Sequence, residues 1–154
     1  MAKIIVLDSG VLGLVTNPKA TVQNQACAAW LRTQVRQNAF IVVPEIADYE
    51  VRRELIRAGK TRGLRHLDAF INLTLYEPLT TAAMRLAAQL WAQARQSGRA
   101  TAAPDALDGD VIVCAQALQV AARPRHAGDD LVVATANPRH LRPFVTAEEW
   151  PNII

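Results

Sequence analysis

No stretch of the chain approaches the roughly 20 uninterrupted apolar residues that a membrane helix needs, and the Met1-Ala2-Lys3 start lacks the regions of a signal peptide. Residence in the cytoplasm is the expectation. Cysteine is scarce: Cys27 and Cys114 lie far apart, form no C-x-x-C pattern, and sit among small or apolar neighbours, which reads as two buried thiols rather than a disulfide. The three histidines, His66, His126 and His140, are scattered, so no zinc pattern exists and structural roles are expected for all three. Aromatic residues make up only 5% of the chain, which argues against a base-stacking platform. Neither a G-x-x-x-x-G-K-[ST] loop nor a G-x-G-x-x-G fingerprint occurs, and Ser9 has no partnered histidine in a recognisable motif. Nucleotide-fold and serine-hydrolase readings therefore lack support.

What is present suits one globular domain spanning residues 1–154, with 51% apolar and 20% charged residues. Seventeen Lys and Arg outnumber 14 Asp and Glu, giving a net charge of +3. This balance is compatible with a polyanionic partner but serves plain solubility equally well.

Apolar runs without polar alternation at 4–7, 40–43 and 131–134 read as strands covered on both faces, the mark of a parallel sheet. Weaker strand candidates occupy 73–76 and 144–145. Helical spacing recurs over 21–36, 44–58 (Pro44 in the first turn, Gly59 just past the end), 61–71, 80–95 and 111–121. A polar connection is expected over 96–104. Alternating strands and helices predict a three-layer α/β/α domain with a central parallel sheet of four or five strands.

In such sheets sites form beyond the carboxyl ends of the strands. Asp8 ends the first apolar run there, and Thr135 and Asn137 leave the same end of the 131–134 strand. Asp129 and Asp130 precede a strand and are expected on the opposite edge. Asp110 opens the apolar run Val111-Ile112-Val113-Cys114-Ala115, and Glu50 lies midway along the 44–58 helix. An ionised carboxylate beside such apolar stretches needs compensation, and two of them about 4 Å apart repel by roughly 4 kcal/mol at an effective dielectric near 20. A hard cation such as Mg²⁺ or Mn²⁺ supplies that compensation, because it prefers oxygen ligands. Asp8, Glu50, Asp108 and Asp110 are the candidate ligands.

Four segments in order then complete a pattern: Ile5-Val6-Leu7-Asp8-Ser9-Gly10, Val43-Pro44-Glu45-Ile46-Ala47-Asp48-Tyr49-Glu50-Val51-Arg52-Arg53, Asp108-Gly109-Asp110-Val111-Ile112-Val113-Cys114-Ala115-Gln116-Ala117 and Val132-Val133-Ala134-Thr135-Ala136-Asn137-Pro138-Arg139-His140-Leu141. Together they resemble the PIN domain family, and within it the VapC-like toxin ribonucleases. The resemblance implies a metal-dependent endoribonuclease acting on single-stranded RNA, with Asp8, Glu50 and Asp110 as metal-binding catalytic carboxylates and Asp108 as an additional ligand. It also implies homodimerisation and neutralisation by a small antitoxin protein, for which an apolar groove between the Ala26/Trp30 helix and the 61–71 helix would suit. Asn137 stands where many relatives carry a further Asp, so Thr135 and Asn137 are assigned to orienting water or substrate. That departure keeps open an alternative, a catalytically weak PIN-like scaffold that binds nucleic acid or protein without cleaving it.

Bland readings compete at several positions. Asp8-Ser9-Gly10 is good turn chemistry, Glu50 could be a solvated helix residue paired with Arg53, and Asp105 or Asp108 could cap the helix that follows. Arg52, Arg53, Arg57, Lys60, Arg62 and Arg65 form a basic run on and after the Glu50 helix. Arg52 and Arg53 are its candidates for contact with RNA phosphates.

Overall fold

Ile4, Ile5, Val6 and Leu7 are fully buried, so the first strand, β1 (Lys3–Leu7), is covered on both faces. The computed structural model describes residues 1–98 and 104–154, omitting the side chains of 104–106. β1 pairs in parallel with β2 (Phe40–Pro44) on one side and β4 (Asp130–Ala134) on the other. The short strands β3 (Leu75–Glu77) and β5 (Ala147–Glu148) extend the sheet outward in the order β3-β2-β1-β4-β5. All these pairings are parallel, as the unbroken apolar runs require.

Successive β1 side chains point to opposite faces and so divide the core in two. Ile4 and Val6 pack with Ala87, Leu90 and Ala94 of α5 (Thr81–Gln96) and Val113 and Ala117 of α6 (Pro104–Ala121). Ile5 and Leu7 pack on the other face with α1 (Ser9–Thr16), α2 (Val22–Arg36), α3 (Glu45–Arg57) and α4 (Thr61–Leu73), through Val11, Leu12, Cys27, Leu31, Ala47 and Leu67. The result is the expected α/β/α layering. Both cysteines are buried and free. Among the described residues, no helix is long and apolar enough to cross a membrane.

Four local expectations need correction. The third strand starts at Leu75 rather than residue 73, because α4 runs on to Leu73. The fifth lies at Ala147–Glu148 rather than 144–145, since the Phe144 and Val145 N–H groups bond back to the Leu141 carbonyl at the end of α7 (Pro138–Leu141). Pro44 closes β2 and precedes α3 instead of entering its first turn. The acidic helix begins at Pro104, which places Asp108 and Asp110 inside it rather than at its opening. The remainder of the expected 96–104 connection, at 99–103, and the side chain of Asp105 lie outside the described residues.

Gly59 does follow the α3 helix as expected. Its N–H donates to the Ile56 carbonyl and the Lys60 N–H to the Leu55 carbonyl, a Schellman closure that requires φ of +66° at Gly59. Gly13, by contrast, lies within α1 with open space where a Cβ would go. Gly59→Ala is expected to destabilise the protein by about 1 kcal/mol through the left-handed backbone, whereas Gly13→Ala should stabilise it by about 0.5 to 1 kcal/mol. Urea unfolding of the two variants checks both signs.

Candidate metal and active site

Strand order turns outward on either side of β1, and in open α/β sheets that switch point forms a crevice at the carboxyl ends of the strands. Asp8 occupies it. Its N–H continues the ladder onto the Ala134 carbonyl at 3.0 Å, and its carboxylate is held twice: Oδ1 accepts from the Ser9 N–H at 2.8 Å and Oδ2 from the Thr135 hydroxyl at 2.7 Å. Asp8 is also the N-cap of α1, so the Asp-Ser-Gly signal marks a helix start rather than a free turn.

Glu50 and Asp110 approach the same place from opposite layers. Burial raises the Glu50 carboxyl above its ordinary range, and the charges of Asp8 and Asp110 add to the effect, while Arg53 opposes it. Asp110 is pushed up to about 6, by burial first and then by Asp8, with His140 pulling the other way. The charge of Asp8 thus makes both Glu50 and Asp110 harder to ionise. The buried Cys114 thiol, one turn beyond Asp110, is raised by burial and then by Asp110 and Asp8. Gly109 lets the α6 backbone press against Glu50, for a Cβ there would sit 3.2 Å from Glu50 Oε2.

Asp110 Oδ2 is buried and has no hydrogen-bond partner. The imidazole Nδ1 of His140 stands 3.6 Å away, beyond hydrogen-bond distance. Orphaned buried oxygens are rare and call for an explanation. The donor set fits a hard divalent cation: it is all carboxylate oxygen, its Glu50 and Asp110 members resist ionisation in the protein alone, and it leaves one oxygen unmet. Among the described residues no group of three or more His, Cys, Asp and Glu side chains is gathered to cage a metal ion. The fit is therefore to an ion that keeps several waters and takes one or two carboxylates, the usual state of protein-bound Mg²⁺.

The other sequence candidates separate. Thr135 is buried and joins the site through Asp8. Asn137 is exposed, and its backbone N–H donates to Thr135 Oγ1, so it touches the constellation by its main chain. Asp108 is exposed, and residues two apart on a helix do not share a face, so it is not brought beside Asp110. Arg53 lies 3.9 Å from Glu50 Oε2 and stacks over the Tyr49 ring at 5.1 Å. Arg52 is instead engaged by Asp48 and Asp68, at 3.0 and 2.7 Å, and Asp48 also accepts from the Tyr76 hydroxyl. Asp129 and Asp130 lie on the opposite sheet edge as expected: Asp130 pairs with Lys3, and Asp129 accepts from the Ala2 N–H and contacts His126 Nδ1.

Sequence reasoning missed two members. His140 was assigned a structural role, yet α7 delivers it to Asp110; its position eight residues after Val132 on the fourth motif was the available signal. Gly109 was passed over between two acids, although a glycine inside a helix marks a close approach.

A groove of about 860 Å³ opens beside the site, lined by Ser9, Gly13, Glu50, Arg53, Lys60 and Arg62. It runs between α1, α3 and the start of α4. On α2, the partly buried Trp30 donates its indole N–H to the Ile153 carbonyl and packs its ring on Trp150 at 5.8 Å.

No protein-family model matches the sequence, and no curated protein matches it. Solved structures do match. A chain of VapBC2 from Rickettsia felis, bound to a DNA fragment from their promoter, superposes with a TM-score of 0.68 at 15% identity, covering 96% of this chain and 98% of that one. FitAcB from Neisseria gonorrhoeae gives 0.65 at 19% identity, and DNA-bound VapBC from Salmonella typhimurium 0.64 at 20%, each covering 97% of this chain and 99% of the other. The chain has a PIN-like, VapC-type fold. The likeness extends over nearly the whole length of the chain.

The raised Asp110 carboxyl has a consequence for stability. A carboxyl whose folded value exceeds the unfolded one favours folding while protonated, and that contribution is lost as pH rises through about 6. Without divalent ions, Asp110→Asn should raise Tm, and by clearly more at pH 7.5 than at pH 4.5. Thermal unfolding at the two pH values checks it.

Proposed function

We propose that this chain is a metal-dependent endoribonuclease that cleaves single-stranded RNA, acting in the cytoplasm as the toxin of a type II toxin–antitoxin pair. The observation that carries the reading is the buried, unpartnered Asp110 Oδ2 beside Asp8 and Glu50. Asp8, Glu50 and Asp110 would hold Mg²⁺ or Mn²⁺ between them, one or two directly and the rest through water, whereas Asp108 is exposed outside the crevice and is not proposed as a ligand. Such an ion, when bound, lowers the pKa of a water and offsets charge at the scissile phosphate.

The chain's own residues supply position. The Ser9 N–H and Thr135 hydroxyl fix both oxygens of Asp8, so its carboxylate is oriented before any ligand arrives. Thr135 and the Asn137 amide would orient water or substrate at the mouth of the crevice. Arg53, half-exposed at the groove, would draw a phosphate toward Glu50, whereas Arg52 is occupied by two carboxylates and contributes through the fold.

The VapBC relatives also support a small antitoxin as partner. The groove lined by Gly13, Glu50 and Lys60 is its proposed seat, since occupancy there would cover Glu50 and shut out RNA. A homodimer is proposed from the family resemblance alone.

With purified protein, cleavage of single-stranded RNA should require Mg²⁺ or Mn²⁺, stop with chelator, and fall to the chelator background in Asp8→Asn and Asp110→Asn. Unchanged cleavage in either variant would falsify the mechanism. RNA retention without product, at any metal concentration, would favour the non-cleaving scaffold suggested by Asn137. Arg53→Ala should weaken RNA binding about threefold to tenfold with a shallower salt dependence, while Arg52→Ala should mainly lower Tm; filter binding across salt concentrations and thermal unfolding separate them.

A further inference from the structure

The helix that carries Glu50 has no cap of its own. Pro44 precedes it and offers no side-chain acceptor, and the Glu45 carboxylate is turned away to accept from the Leu79 N–H. The first N–H groups of a helix have no intrahelical partner. One of them, on Ile46, is met from the other layer by Gln116 of α6, whose Oε1 accepts it at 3.1 Å. Gln116 is completely buried and uses its other end as well: Nε2 donates at 2.8 Å to the Glu77 carbonyl, at the end of β3.

Gln116 lies seven residues after Gly109, and Ile46 lies four before Glu50, so each pair shares a helix face. Along this common stripe α3 and α6 therefore touch at two points, Ile46 on Gln116 and Glu50 on Gly109. Both points carry consequences for the acids, since Glu50 and Asp110 adjoin the second. We propose that Gln116 is a positioning residue that sets the separation of Glu50 and Asp110 by capping α3 from α6 and tying both to the end of β3. A purely apolar contact would let the two helices slide; a buried amide with a fixed donor and acceptor does not. The proposal rests on the metal-site reading given above.

Mn²⁺ titration of the wild type, Gln116→Leu and Gln116→Met tests it, with folding monitored by circular dichroism. Each variant keeps an apolar filler in the same space and loses both hydrogen bonds, and Met serves if Leu does not fold. Gln34→Leu is the control, for Gln34 is a second buried glutamine that bonds the Ile153 carbonyl, away from α6. Mn²⁺ affinity should weaken about tenfold or more in the Gln116 variants, whereas Gln34→Leu should lower Tm without changing that affinity. Affinity within twofold of wild type in a folded Gln116 variant overturns the proposal. If the wild type takes up no Mn²⁺, the metal reading fails instead. The crystal structure of a Gln116 variant then decides: displacement of Glu50 from Gly109 supports the positioning role, and an unchanged contact overturns it.

Discussion

The parallel ladder between β1 and β4 is the constraint on which the rest depends. Leu7 sits opposite Ala134, the Asp8 N–H extends the ladder by one bond, and Thr135 emerges level with the Asp8 carboxylate. Side chains alternate faces along a strand, so a slip of one residue would turn Ile5 and Leu7 toward the wrong layer and separate Asp8 from Thr135. The same hydrophobic burial that fixes the register therefore fixes the first acid.

Three acids reach the crevice from three places: the end of the sheet, a helix of one layer and a helix of the other. Asp8 is held by hydrogen bonds, but Glu50 and Asp110 are raised first by burial and then by the charge of Asp8, with Asp110 adding to the effect on Glu50. The protein tolerates this repulsion because the surrounding core is well formed on both faces of the sheet. A site that opposes folding in this way is a common feature of functional clefts, where binding a ligand relieves what folding alone does not.

The basic run after Glu50 shows how the fold divides residues of one type. Arg52 and Arg57 are neutralised by acids, through Asp48, Asp68 and Glu54, whereas Arg53, Lys60 and Arg62 face the groove. The Schellman closure at Gly59 turns the chain sharply enough to bring Lys60 and Arg62 back to that groove. Positive charge is thereby concentrated next to the acids, and Arg53 offsets part of the charge on Glu50.

Composition and patterning determined much of this protein directly. Unbroken apolar runs at 4–7, 40–43 and 131–134 could only be central parallel strands, and Asp8 had to leave the end of one of them, because strand burial is a local property of consecutive side chains. The two-residue β5, the late start of β3 and the early start of α6 were not legible, since edge strands and helix ends depend on what packs beside them rather than on their own residues. Nor could sequence distinguish Arg52 from Arg53, place Asp108 outside the crevice, or connect His140 with Asp110 and Gln116 with Ile46. Those are contacts between segments up to 70 residues apart. Sequence set which residues must be buried; only the tertiary structure decided which buried groups meet, because hydrogen bonds and charges act over a few ångströms in space, whatever their separation along the chain.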